Sequence, residues 1–181
     1  MASRYFTGVG DRGDTGLLGN ARVSKGDVLI EAIGSVDELN GWVGLSIFYI
    51  RDDSARRVLR VVQNELFVIG ASLAIPGTEK MAKATLGDDA IIRLEDAIKR
   101  FGGKMPDLKE FVVPGGCEGS VHLHVARSVA RRAERMVVAA SSKHQVDKKT
   151  LAYLNRLSSL LFVLALYLNF IEGIDEEHPT Y

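Results

Sequence analysis

The sequence is poor in everything that would cross-link it, charge it or carry it across a membrane. It holds one cysteine, Cys117, so no intramolecular disulfide can form and no cysteine spacing points to a zinc site. Lysine plus arginine and aspartate plus glutamate each number 23, a formal net charge of +0. That balance removes the broad basic field that suits nucleic acids and anionic membranes, so phosphate binding must come from local clustering. The start of the chain is polar (Ser3, Arg4, Tyr5) and lacks the apolar centre of a secretory signal. The most apolar run, residues 160–171, is far short of the roughly 20 residues that span a bilayer. The expectation is a cytoplasmic protein with neither membrane nor nucleic acid as partner.

What is present is a globular composition. Of 181 residues, 46% are hydrophobic and 25% charged, enough for the core of a single domain over residues 1–181. Residues 1–28 are rich in Gly, Asp, Thr and Ser without helical period, and read as an ordered loop or a loose tail. Residues 29–175 carry helical spacing. A first helix is expected over 29–50, with Ile33, Val36, Val43, Ile47 and Ile50 recurring on one side. A second is expected over 54–75, with Val58, Val61, Val62, Leu66, Ile69 and Leu73 inward and Pro76-Gly77 closing it. A third, over 88–101, ends at Gly102-Gly103, and Pro114-Gly115-Gly116 is a break. A fourth covers 119–141 and a fifth 147–172, with Asp147 able to cap the last. Residues 176–181 are left as a tail. With no strand pattern and no internal repeat, the fold class expected is all-α. It is an up-and-down five-helix bundle with a ferritin-like, four-helix-bundle-type core, preceded by a Gly/Thr-rich N-terminal loop.

Several local patterns carry chemistry. In RSVARRAER, residues Arg127, Arg131 and Glu134 are spaced four and three apart and share one helical stripe, with Arg135 beside them and His124 one turn earlier. Arginine presents a rigid, permanently charged donor fork that matches phosphate oxygens. The stripe reads as a polyphosphate cradle or as a solvated face with internal ion pairs. Thr7, Gly8, Gly10, Asp11, Gly13 and Thr15 form a segment whose glycines let backbone amides approach an anion, and Lys25 lies just downstream. It is no Walker A loop, since no Gly-Lys-Ser/Thr closes it. Gly34, Asp37, Gly41 and Gly44 share a stripe of the first helix. Three interior glycines at about 1 kcal/mol each ask for the close approach of another helix. Asp37 is then either a packed carboxylate needing a cation or a solvated acid favoured by the helix dipole. Asn155, on an otherwise apolar helix, needs a hydrogen-bond partner in protein or ligand if buried. Phe111, before the rigid turn at Pro114, is a core residue unless that turn lines a site. His122 and His124, two apart on a helix, face different ways, and no Glu-x-x-His motif occurs, so a tightly held transition metal is not expected.

Taken in order, TGVGDRGDTGLL, VSK, EAIGSVDELNGWVG, VQNELFVIGASLA, FVVPGG, ARSVARRAER and YLNRLSSLLFVLA resemble the PduO-type ATP:cob(I)alamin adenosyltransferases, across most of residues 7–166. The resemblance implies a homotrimer of five-helix subunits with active sites between neighbours. The Co(I) nucleophile of reduced cobalamin attacks C5′ of ATP, giving adenosylcobalamin and tripolyphosphate, with Mg²⁺ brought by the nucleotide. It implies that Thr7, Gly8, Gly10, Asp11, Gly13, Thr15 and Lys25 wrap the phosphates and that Arg131 and Glu134 belong to the ATP site. By the same resemblance Asn155 lies there close to the corrinoid, Arg127 pairs with Asp37 across the interface, and Phe111 keeps the lower axial ligand off cobalt. Arg131, Phe111 and Asn155 are its catalytic residues. A reductase and an enzyme that uses adenosylcobalamin are the implied protein partners.

Three positions depart from the family pattern: Leu29 and Leu166 stand where arginines are frequent, and Ser159 where an acid is common. The charged positions are either structural pairs lost together, or the acid acts in the site. A different functional class, a module that holds and delivers adenosylcobalamin with little turnover, would have no use for Lys25 and Arg131.

Overall fold

Three of the helices begin at an aspartate whose carboxylate takes up a free backbone N–H, as an N-cap does. Asp27 accepts from Leu29 N, Asp52 from Ala55 N and Asp147 from Lys149 N, the last as expected from the sequence. In the computed structural model, which describes residues 5–18, 21–75 and 85–180, these caps start α1 (Val28–Tyr49), α2 (Asp53–Leu73) and α5 (Lys148–Glu172). The other two helices are α3 (Ala90–Gly102) and α4 (Glu118–Ser141). Gly173, left-handed at φ 68°, ends α5. Each boundary falls within about two residues of its expected place, and the expected all-α bundle is the fold.

The bundle is held by α1 against α2 and α4, and by α5 against α4 and α3. Short connections at residues 50–52 and 142–147 turn α1 into α2 and α4 into α5 as antiparallel neighbours. On α4, Ala126, Ala130, Ala133 and Ala140 are fully buried. Their small side chains let α1 and α5 approach closely, and the leucines of α5 (Leu154, Leu157, Leu161, Leu164) fill the space. α5 as a whole is long and apolar enough to cross a membrane, which residues 160–171 alone are not. Its apolar surface faces the protein interior, with 61% of the span buried, as in a core helix.

Three expectations need correction. Strands do occur: β1 (Asp14–Gly16) and β2 (Arg22–Ser24) pair antiparallel with Thr15 opposite Val23. Three-residue strands are too short to show a period-2 pattern. On α2, Val61 is exposed while Ala55 and Leu59 are buried, so the inward stripe is rotated slightly from the one expected. α2 ends at Leu73, and Pro76-Gly77 lies outside the described residues. Among the described residues the glycine stripe of α1 is not closely approached: a Cβ on Gly34 or Gly41 would meet nothing within 4 Å, and of the three only Gly44 faces a side chain, that of Gln63. The stripe lies on an outer face together with Asp37, Leu45, Phe48 and Phe67.

One buried carboxylate fixes the α2–α3–α5 corner. Glu65 accepts from Tyr153 Oη at 2.6 Å and pairs with Arg93, which also pairs with Asp89. Burial, then the nearby Glu65 charge, drives the Tyr153 hydroxyl well above its ordinary pKa, so it remains a donor. Tyr153→Phe removes that donor from a buried charge and should lower unfolding stability by about 1–3 kcal/mol, read from urea midpoints at constant slope.

Candidate functional site

The antiparallel contact of α4 with α5 makes a groove in which polar groups meet at two levels. At the first, Asn155 Nδ2 donates to Glu134 Oε1 at 3.0 Å. At the second, the Arg127 guanidinium lies 5.1 Å from the ring centroid of Phe162, within cation–π range. Phe162 follows Asn155 by seven residues and Arg127 precedes Glu134 by seven. Two turns, about 10 Å, therefore separate the levels on both helices, and both levels face the same way.

Each level has its own cavity. Around Asn155 a space of about 480 Å³ is lined by Arg131, Glu134, Arg135, Val138, Ala139 and Asn155. With two guanidiniums against one carboxylate, its walls carry a net positive charge. Arg135 donates Nη1 to the Arg131 carbonyl at 3.0 Å. Arg132 points elsewhere and pairs with Glu38 on α1, so the four arginines divide into two at this cavity, one at the next and one in a structural pair. Asn155 is exposed at the rim and not buried, because its position falls on the groove side of α5.

The second cavity, about 380 Å³, is walled by Phe111, Pro114, His124, Arg127 and Phe162. Phe111 is 80% exposed and belongs to this wall, not to the core. Its segment is held by residues that the sequence left as a tail. Val113 N donates to Glu177 O at 2.7 Å, and the His178 imidazole contacts Phe111 O at 2.8 Å. Buried Asn169 joins the same set: Oδ1 accepts from Cys117 N at 3.0 Å, and Nδ2 donates to Gly115 O at 3.3 Å and Glu176 Oε1 at 3.0 Å. Gly116, at φ 97°, is required there, since a Cβ would sit 2.0 Å from Asn169 Oδ1.

The glycine-rich segment folds on itself. Asp11 N donates to Gly8 O and Gly13 N to Gly10 O, each at 3.2 Å, with Gly8 and Gly13 at positive φ. Lys25 N donates to Gly13 O at 2.8 Å, and its Nζ lies 3.2 Å from where a Cβ on Gly10 would be, so Lys25 crosses the turn. Thr7 Oγ1 accepts from Val9 N at 3.4 Å, and Thr15 sits in β1. Arg22 binds Asp14 and Val9 O; this partnership holds the Asp14 carboxyl below its usual range. Lys25 therefore belongs with Thr7, Gly8, Gly10, Asp11, Gly13 and Thr15, as expected. Among the described residues no hydrogen bond or ion pair joins this loop to Arg131, Glu134 or Asn155, and Asp37 makes no ion pair with Arg127. Ser159 is exposed one turn beyond Asn155, whereas Leu29 and Leu166 are buried.

His124, Phe162 and the 176–178 strap were not singled out as site residues from the sequence. Their signal was positional: His124 is one turn before Arg127, and Phe162 is two turns after Asn155.

The chain matches the family model described as cobalamin adenosyltransferase over residues 5–168. It is 36% identical over 177 residues to the corrinoid adenosyltransferase of Bacillus subtilis (strain 168), covering 96% of this chain and 90% of that protein. With the corrinoid adenosyltransferase of Mycobacterium tuberculosis (strain H37Rv) it shares 41% over 168 residues, 90% of this chain and 87% of the other. A variant PduO-type ATP:corrinoid adenosyltransferase from Lactobacillus reuteri, complexed with cobalamin and ATP, superposes with a TM-score of 0.93 at 31% identity, over 98% of this chain and all of that one.

Burial, and then the charge of Arg127, hold the His124 imidazole below its ordinary pKa. The unfolded chain takes up a proton there as pH falls below about 6.5, while the folded chain resists it. Resistance to protonation therefore costs no stability above that pH and destabilises the fold below it. Unfolding midpoints taken from pH 7.5 to 5 should fall in the wild type more steeply than in His124→Phe.

Proposed function

Because this chain belongs to the cobalamin adenosyltransferase family, we propose that the α4–α5 groove is the part of the molecule where adenosyl transfer takes place. The protein is an enzyme, an ATP:corrinoid adenosyltransferase, which moves the 5′-deoxyadenosyl group of ATP to the cobalt of reduced cobalamin. The observation that carries the siting is the alignment of two unlike cavities on one face: a cationic one at Arg131, Glu134 and Asn155, and an aromatic one at Phe111 and Phe162, two helical turns apart.

In the reaction the Co(I) lone pair forms the Co–C5′ bond, the C5′–O bond breaks, and its electron pair leaves on tripolyphosphate. The nucleophile is a metal centre, so no general base is required. The demand falls on the departing charge, and Arg131 opposes it as the bond lengthens. Glu134, bonded to Asn155, is placed to take a ribose hydroxyl or to orient Arg131. The Thr7, Gly8, Gly10, Asp11, Gly13 and Thr15 turns with Lys25 close over the phosphates. Phe111 fills the lower face of the corrinoid, which leaves cobalt four-coordinate and easier to reduce. Mg²⁺ would arrive on the triphosphate oxygens, since no group of three or more His, Cys, Asp or Glu among the described residues forms a cage for it. A reductase upstream and an adenosylcobalamin-dependent enzyme downstream are the partners this chemistry calls for.

The complete site is proposed to lie between the subunits of a homotrimer. Three features support this: Lys25 and its turns are not bonded to Arg131 within one chain, Asp37 makes no ion pair among the described residues, and the glycine stripe with Phe48 and Phe67 is left open. In this arrangement Asp37 meets Arg127 of a neighbour.

Arg131→Ala and Phe111→Ala should separate the two cavities. The first should weaken ATP binding and lower kcat by about a hundredfold; the second should lower kcat while leaving ATP affinity within a few-fold, both followed as ATP-dependent loss of the Co(I) absorbance. Asp37→Arg or Arg127→Asp alone should dissociate the assembly in sedimentation velocity, and the two exchanged together should restore it. Trimers persisting in both single variants would remove this pair from the interface.

A further inference from the structure

Three side chains, Ser35, Asn40 and His124, carry a buried polar atom without a partner among the described residues, and of these His124 lines a cavity of the α4–α5 groove. His124 is 4% exposed, and neither Nδ1 nor Nε2 has a hydrogen-bond partner among the described residues. Buried polar groups are nearly always paired, and a neutral imidazole carries one donor and one acceptor, so two orphans on a single ring stand out. The neighbouring hydroxyl does not serve them: Ser128 Oγ donates to the His124 backbone carbonyl, not to the ring. The imidazole lines the Phe111 cavity, with Phe162 edge-on at a centroid distance of 6.1 Å.

We propose that His124 is a further substrate-binding residue, whose imidazole hydrogen-bonds a peripheral carboxamide of the corrinoid. This rests on the Phe111 cavity receiving the corrinoid, as proposed above. The chemistry of the wall selects the ligand class. Burial and the Arg127 charge hold the His124 pKa down and favour the uncharged ring, and whichever nitrogen faces the cavity can bond a primary carboxamide, which offers both a C=O acceptor and N–H donors. The aromatic surfaces of Phe111 and Phe162 suit the apolar rim of a macrocycle beside that amide. Arg127 does not compete for it, because its guanidinium lies over Phe162. His124 is 4% exposed, so this contact requires the half-buried Phe162 ring to turn aside as the corrinoid enters.

The test uses the full chain and adenosylcobalamin, the diamagnetic product, as probe. The affinity of wild type, His124→Phe and His124→Asn for adenosylcobalamin and for ATP is measured by titration. His124→Phe should bind adenosylcobalamin about ten- to a hundredfold more weakly with ATP affinity unchanged, and His124→Asn should recover most of the loss. In ¹⁵N-histidine-labelled wild type the His124 ring nitrogens should shift on adding adenosylcobalamin, a readout that needs no variant to fold. Equal affinity of His124→Phe and wild type, or unmoved ring-nitrogen resonances in the saturated protein, would overturn the proposal and leave His124 a packed core residue. Failure of the wild type itself to bind adenosylcobalamin would instead overturn the siting of the corrinoid, and this proposal with it.

Discussion

The contact between α4 and α5 is the constraint on which the rest of the molecule depends. Alanines on α4 bring its axis close to the leucines of α5, and that closeness is what allows Asn155 to reach Glu134 and Arg127 to reach Phe162. Both cross-helix contacts are too short to survive a shift of one residue in register. A core that is apolar and tightly filled resists such a shift, since every leucine would have to find a new hollow. The groove is therefore rigid because of what lies beneath it, and side chains on its surface inherit their spacing from the packing below.

Charge in this protein is organised locally. Its net charge is zero, yet one groove level carries two guanidiniums against a single carboxylate, and the neighbouring level is aromatic with a cation laid over one ring. Several arginines elsewhere are matched: Arg132 by Glu38, Arg93 by Glu65 and Asp89, Arg22 by Asp14. Such matching leaves the cationic cavity as a distinct feature and not part of a general basic surface. It also orders the groove along its length, from a place suited to polyanions to one suited to a large, flat and weakly polar partner.

Much of this was legible in the residues. Helical spacing located all five helices because their apolar stripes are long, and Asp147 announced a cap that the backbone uses. That Arg131, Glu134 and Asn155 share one site was implied by the family resemblance; the bond between Asn155 and Glu134 came only from the fold. The hairpin was not legible, since three residues cannot display alternation. The Val61 error arose because a stripe read from a few valines can be rotated by one position without changing its period. Phe111 was ambiguous in sequence because its exposure is set by a turn and by a strap from the far end of the chain. His124 was weighed as a metal ligand and set aside; its burial without partners is a tertiary property, invisible to any local pattern. The glycine stripe was legible as unusual, but its outward direction came only from the fold.

The strap has a consequence in time as well as in space. Phe111 is pinned by His178, a residue 67 positions later. Until residues 177 and 178 follow α5, the turn that carries Phe111 has no anchor from the strap. The aromatic wall thus sets later than the bundle, and a chain stopped before residue 176 would lack the anchors of that wall while keeping all five helices.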